Sequence, residues 1–136
     1  MGSVVLDAHP LVAIVVREPS GPAVKVRLQE ARESGEILIC AVNLCEAAYI
    51  IERRAGAEAV ARVLFLMERI GVRIVDADAR LAGFAAAARR DHGLGIGDCF
   101  AAALAFSLSL PLMTGDADFL ALEDHGLEID WVGPPR

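Results

Sequence analysis

The chain has 136 residues, 55% of them hydrophobic, and a net charge of −6; this length predicts one domain over residues 1–136, and the apolar content excludes an intrinsically disordered protein. The longest weakly polar segment, residues 99–113, is interrupted by two serines and a proline and is shorter than the ~20 residues of a membrane span. With no signal-peptide pattern at the start, the sequence predicts a cytoplasmic protein that does not contact a membrane. Three cysteines without paired spacing argue against zinc and against a disulfide framework.

Strand-like and helical patterns alternate along the chain. Pro10 suits the first turn of a helix, and Gly56 and Gly71 follow the last apolar residues of helical runs, as these residue types favour. In chain order the sequence predicts a strand at 3–6, helices at 10–17 and 23–34, a strand at 36–41, helices at 43–55 and 57–70, a strand at 72–75, helices at 79–90 and 98–108, a strand at 110–113, a short helix at 116–123 and an edge strand at 128–132. Such alternation is typical of an α/β fold with a parallel sheet.

Four carboxylates lie where the predicted strands end or where the helices beside them begin. Asp7 directly follows the first strand and Asp116 the fourth, while Glu46 and Asp98 stand in the first turns of two helices. Ligands bind at the carboxyl ends of the strands in open parallel sheets. We therefore expect Asp7, Glu46, Asp98 and Asp116 to converge at one edge of the sheet.

Three of these acids also have a local structural interpretation. Asn43 and Glu46 match a capping box, in which Asn43 is the N-cap. Asp98 and Asp116 are also plausible N-caps of the helices that follow them. Asp7 is the hardest to explain by local structure, because it follows a buried apolar strand.

Four acids close together repel one another, by about 1 kcal/mol for two charges ~4 Å apart in water and about 4 kcal/mol at an effective dielectric constant of 20. Such a cluster must bind a cation, share protons or pair with basic groups. Carboxylate oxygens suit Mg²⁺ or Mn²⁺, and a metal held in this way can activate water and neutralise a phosphodiester.

These residues resemble the motifs of the PIN domain, in its order and at roughly its spacing over residues 4–132. The matching motifs are Asp7 after the first strand, Asn43-x-x-Glu46, Gly97-Asp98-Cys99 and Thr114-x-Asp116-x-x-Phe119. The resemblance implies a three-layer α/β/α sandwich around a mostly parallel central sheet. It also implies that Asp7, Glu46, Asp98 and Asp116 are the catalytic and metal-binding set, with Thr114 and Asp118 as auxiliary residues.

Small PIN domains are mostly VapC toxins of toxin–antitoxin systems, so the resemblance further implies an Mg²⁺- or Mn²⁺-dependent endoribonuclease that cleaves tRNA or rRNA and inhibits translation. It implies a homodimer and a VapB-type antitoxin that blocks the acidic pocket with a basic side chain. The net charge of −6 is unfavourable for RNA binding, although it falls to −2 when four metal-bound carboxylates are set aside. The candidate RNA contacts are Arg53, Arg54, Arg89 and Arg90, whose alternative role is on solvated helix faces and helix C-termini.

The chain departs from the family pattern at two positions. His9 stands where the family often has Ser or Thr two residues after the first Asp, and it either replaces that hydroxyl or weakens the site. Gly95 stands where a Ser often precedes the third acid.

Two other functions remain open at this point. One is a haloacid-dehalogenase-like phosphotransferase or phosphatase with Asp7 as nucleophile, which His9 disfavours because that fold needs a second Asp at this position. The other is a PIN-like domain with an impaired site that binds RNA or protein without cleaving it.

Overall fold

Five short strands form one parallel sheet in the computed structural model, which describes residues 2–133. The strands are β1 (Val4–Leu6), β2 (Ile37–Cys40), β3 (Arg73–Val75), β4 (Leu112–Thr114) and β5 (Ile129–Trp131). Their order is β3-β2-β1-β4-β5, and every pairing is parallel. β5 is an edge strand, as predicted, and β1 lies at the centre, so the residue that follows β1 is surrounded by neighbouring strands.

The helices occupy nearly the same segments as predicted. They are α1 (His9–Val15), α2 (Gly21–Ser34), α3 (Ala41–Ala55), α4 (Ala57–Ile70), α5 (Ala79–His92), α6 (Ile96–Leu108) and α7 (Leu120–Glu123), with a 3₁₀ turn at Ala117–Phe119 that leads into α7. Within residues 2–133 none of these helices combines the length and apolar character needed to cross a bilayer.

Alternate residues of the central strands pack on opposite faces of the sheet. Val4 and Leu6 join an apolar core with residues of α1 to α4, whereas Val5 joins a second core with residues of α5 to α7. This alternation follows from the two-residue period of a strand. The fold is therefore the predicted three-layer α/β/α sandwich.

A run of alanines, residues 101–103 and 105, is almost fully buried in α6. These side chains belong to the core shared by the sheet and by α5 to α7. Small side chains let the backbone of α6 approach the residues against which it packs.

Several predicted boundaries are wrong by one or two residues. β2 ends at Cys40 and α3 begins at Ala41 without a side-chain cap, and α6 begins at Ile96 after Gly95 as N-cap. The capping interpretations of Asn43 and Asp98 are therefore wrong, because both residues lie inside their helices. The predicted helix at 116–123 is divided between the 3₁₀ turn and α7.

Candidate active site

A cleft at the carboxyl edge of the sheet brings all four predicted acids together. It encloses about 450 Å³. Its lining residues are Asp7, Ala8, His9, Val12, Glu18, Glu46, Ile50, Arg54, Asp98, Gly115 and Asp116. The expected convergence at one edge of the sheet therefore occurs.

Asp7 is the most deeply buried of the four acids, with 4% of its surface exposed. Its Oδ1 accepts a hydrogen bond of 3.0 Å from the backbone N–H of His9, and its Oδ2 accepts one of 2.5 Å from the Thr114 hydroxyl. Burial raises the pKa of Asp7 from 3.8 to about 8, although both hydrogen bonds act in the opposite direction. Near neutral pH and without a cation, this carboxyl group holds a proton.

Thr114, the last residue of β4, connects two of the acids. Its buried Oγ1 donates to Asp7 and accepts a bond of 3.0 Å from the backbone N–H of Asp116. Asp116 Oδ1 in turn accepts from the N–H of Asp118 at 2.9 Å, as the N-cap of the 3₁₀ turn. The capping interpretation of Asp116 is confirmed, and the same residue also lines the cleft.

Asp98, in the first turn of α6, faces three other carboxylates. Its pKa rises from 3.8 to about 7, first through burial and then through the negative charges of Asp116, Glu46 and Asp118. Carboxylate oxygens of Asp98, Asp116 and Asp118 all lie within 4.8 Å of one another. This cluster places the predicted auxiliary acid Asp118 beside the main set.

Glu46 is held against α6 by Asn43, a fully buried residue. Asn43 Nδ2 donates to Glu46 Oε1 at 3.1 Å and to the carbonyl of Gly97 at 2.9 Å. A Cβ atom at Gly97 would collide with the Glu46 carboxylate. Sequence reasoning interpreted Asn43 as an N-cap and missed that it positions Glu46, although the Asn43-x-x-Glu46 motif was the signal. It also missed the close approach of Gly97 to Glu46, which no sequence pattern marks.

His9 is the first residue of α1, and its ring lies against the loop that carries Asp116. Its ring Nε2 is 3.4 Å from the Ser20 hydroxyl, and a Cβ atom at Gly115 would lie 2.5 Å from that same nitrogen. His9 therefore lines the cleft at the position where the resemblance predicted a hydroxyl side chain.

Of the four candidate arginines, one lines the cleft and three lie outside it. Arg54 lines the cleft and forms an ion pair of 3.0 Å with Glu18. Arg53 instead donates to the Tyr49 hydroxyl, Arg89 to the carbonyl of Leu94, and Arg90 to its neighbour Asp91. The latter three match the alternative interpretation of solvated faces and helix ends. Glu18, a fifth acid of the cleft, was missed because no sequence pattern marks it.

The donor set fits a hard divalent cation. Across residues 2–133, no arginine or lysine forms an ion pair with Asp7, Glu46, Asp98 or Asp116. Pairing with arginine or lysine therefore does not offset the repulsion among these four acids. A bound cation or shared protons can do so. The carboxylate oxygens of Asp98, Asp116 and Asp118 are close enough for one ion to reach all three.

Comparisons with known proteins agree with this description. A family model of the PIN domain matches residues 4–124. No protein of curated function matches the chain by sequence. The chain is similar in structure to VapBC2 from Rickettsia felis, solved with a DNA fragment from its promoter, at a TM-score of 0.78 and 16% identity over 96% of this chain and 99% of that one.

Two Mycobacterium tuberculosis structures are also similar. VapC20, described as a sarcin-ricin loop cleaving toxin, has a TM-score of 0.76 and 16% identity over 87% of this chain and 93% of that one. VapBC-5, from the VapBC family of toxin–antitoxin systems, has a TM-score of 0.62 and 23% identity over 96% and 97%. At these identities the likeness describes the fold, and the family rests on the match over residues 4–124: the chain belongs to the PIN domain family.

Proposed function

We propose that the protein is a metal-dependent endoribonuclease, the toxin of a type II toxin–antitoxin system, which cleaves tRNA or rRNA and inhibits translation. The observation that carries this proposal is that four acids converge in the cleft of a PIN domain and that none of them has an arginine or lysine partner among residues 2–133. A structural neighbour described as a sarcin-ricin loop cleaving toxin supports RNA as the substrate.

The catalytic and metal-binding residues in this proposal are Asp7, Glu46, Asp98 and Asp116. Asp98 and Asp116 would hold Mg²⁺ or Mn²⁺ together with the auxiliary Asp118, and Asp7 and Glu46 complete the acidic wall. When bound, such an ion lowers the pKa of a coordinated water and neutralises charge on the phosphodiester.

Other side chains hold these acids in position. Thr114 fixes Asp7 Oδ2 and the backbone of Asp116, and Asn43 fixes Glu46. Because Asp7 and Asp98 have raised pKa values, they give up protons when they take up a cation. His9 contributes its backbone N–H to Asp7, and its ring supports the loop at Gly115.

The proposed partners are a VapB-type antitoxin and a second copy of the chain. The solved neighbours include a VapBC2 assembly and a toxin–antitoxin complex from Klebsiella pneumoniae, and an acidic cleft suits a basic side chain from such a partner. Phe84, Phe106 and Leu108 are exposed on α5 and α6, which offers apolar surface for a homodimer. A toxin that acts on tRNA or rRNA would work in the cytoplasm.

The second candidate is a PIN-like domain with an impaired site that binds RNA or protein. The observation in its favour is His9, whose ring stands in the cleft where a hydroxyl was expected. This candidate predicts weak metal binding and no cleavage.

Cleavage of a total tRNA and rRNA pool by the purified protein distinguishes the two. We expect discrete fragments with Mg²⁺ or Mn²⁺, and no fragments with EDTA or with the Asp98→Asn variant. Asp76→Asn, which changes an exposed acid outside the cleft, is the matched control and should cleave normally. Loss of cleavage with every metal, together with no metal binding by calorimetry, would favour the impaired domain.

A further inference from the structure

Arg54 is the one arginine or lysine among the cleft-lining residues of the described part of the chain. It lies on the same face of α3 as Glu46 and Ile50, at intervals of four residues, and all three line the cleft. Eight residues of helix place it about 12 Å along the axis from Glu46. A nucleic-acid strand that enters the acidic end of the cleft therefore passes close to one fixed positive charge.

Glu18 holds the guanidinium group of Arg54 at this position. The Arg54 side chain is 51% exposed, whereas that of Glu18 is 19% exposed. The backbone around Glu18 is fixed by hydrogen bonds from its N–H to Ala13 and from Gly21 to its carbonyl. The carboxylate is thus the anchored partner, and the guanidinium is the accessible one.

An ion pair this exposed contributes little stability, so another anion can compete for the guanidinium. A phosphate is a strong competitor, because the planar fork of arginine binds two phosphate oxygens at once. A phosphate that displaces Glu18 would leave this carboxylate in the cleft beside it, and the repulsion would lower the affinity.

The neighbouring Arg53 provides an internal contrast. It donates to the Tyr49 hydroxyl at 3.0 Å and lies over the Tyr49 ring, 5.8 Å from its centroid. Tyr49 is 59% exposed, and neither residue lines the cleft. Two consecutive arginines of one helix therefore have different surroundings and serve as a matched pair.

We propose that Arg54 binds a phosphate of the RNA backbone beside the one that is cleaved, and that Glu18 competes with RNA for this guanidinium and so restrains RNA affinity. This inference rests on the proposed nuclease function. It assigns opposite effects to the two members of one ion pair, because removal of Arg54 removes a phosphate ligand, whereas removal of the Glu18 charge releases that ligand.

The test measures retention of labelled total tRNA on filters, with Ca²⁺ as the cation, over roughly 50–200 mM NaCl. Arg54→Gln should lower the affinity about tenfold and reduce the slope of log affinity against log salt by about one. Arg53→Gln should change the affinity less than about twofold, and Glu18→Gln should raise it by about two- to fivefold. Thermal unfolding should show that all three variants fold like the parent.

Cleavage kinetics give a second readout, in which Arg54→Gln raises KM and leaves kcat nearly unchanged. Equal losses for Arg54→Gln and Arg53→Gln, or weaker binding by Glu18→Gln, would overturn the inference while the nuclease function stands. A parent protein that neither binds nor cleaves RNA would overturn the nuclease function and, with it, the role of Arg54.

Discussion

On the β1 side of the cleft, the carboxyl group of Asp7 is buried and held by two hydrogen bonds, whereas on the α6 side Asp98, Asp116 and Asp118 are partly or fully exposed. Burial raises the pKa of Asp7 to about 8. The pKa of Asp98 is raised to about 7 by burial and by the negative charges of Asp116, Glu46 and Asp118. The buried acid has a fixed geometry but is costly to ionise. Asp98 ionises more readily than Asp7, and its pKa also depends on the neighbouring charges of Asp116, Glu46 and Asp118.

The largest expected effect comes from removing the fixed carboxylate. Asp7→Asn keeps the size of the side chain, so we expect a folded protein whose RNA cleavage falls about 10³-fold or more. Asp118→Asn, on the exposed side, should lower cleavage only about tenfold. Equal losses of activity for Asp7→Asn and Asp118→Asn would contradict the contrast between the buried and the exposed acids. Both variants are measured in a fluorescent cleavage assay at the same Mn²⁺ concentration.

Stability against pH tests the cost of ionising the buried acid. Asp7 and Asp98 bind protons more tightly in the folded state, so their contribution to stability is complete below pH 3.8 and is lost as pH rises through about 7 and 8. Without metal, the Tm should fall by roughly 3–10 °C between pH 5.5 and 8.5. Asp7→Asn should remove much of this fall, and saturating Mn²⁺ should restore the Tm of the parent at pH 8.5 but not that of the variant.

An unchanged metal-free Tm over this range would contradict the raised pKa values. The Asp76→Asn control changes an exposed acid and should follow the parent at every pH.

Thr114→Val tests whether the hydroxyl positions the buried acid. Valine fills a similar volume but leaves Asp7 Oδ2 and the Asp116 N–H without their partner, at a cost of about 1–3 kcal/mol in unfolding free energy. Cleavage should fall about tenfold. Thr114→Ser keeps the hydroxyl and should retain most of the activity; equal losses in both variants, measured by chemical denaturation and cleavage rate, would assign the effect to packing.

The last prediction concerns the open side of the cleft, where Gly97 leaves room for Glu46. Gly97→Ala should displace this carboxylate and weaken Mn²⁺ binding about tenfold by isothermal titration calorimetry. Gly95→Ala is the matched control, because a Cβ atom there meets nothing within 4 Å. If both variants bound Mn²⁺ like the parent, the position of Glu46 would not matter for the cation.

The sequence predicts the acidic convergence well because it depends on few physical facts. Asp7 and Asp116 follow strands of one parallel sheet, and the carboxyl ends of such strands meet at one edge. The contacts that set the geometry were not predictable in the same way. Asn43 bonds to Gly97 across 54 residues, and Arg54 pairs with Glu18 across 36.

These contacts depend on how the helices pack, which local spacing does not encode. The first residue of α3 was also not predictable from the local sequence. Cys40 has an extended backbone, and the helix begins at the next residue without a side-chain cap, so the polar Asn43 was a misleading marker. Its buried amide serves a distant carbonyl instead of its own helix end.

The buried alanines of α6 have a consequence for how this site tolerates sequence change. Protein interiors are packed without spare room, so one larger side chain in place of alanine at 101, 102, 103 or 105 would push the helix away from the sheet. Asp98 would move with it, although no bond to Asp98 had been altered. Substitution at these four alanine positions is thus restricted to small residues by the distance required between α6 and the sheet, although none of the four alanines contributes a carboxylate to the acidic cluster.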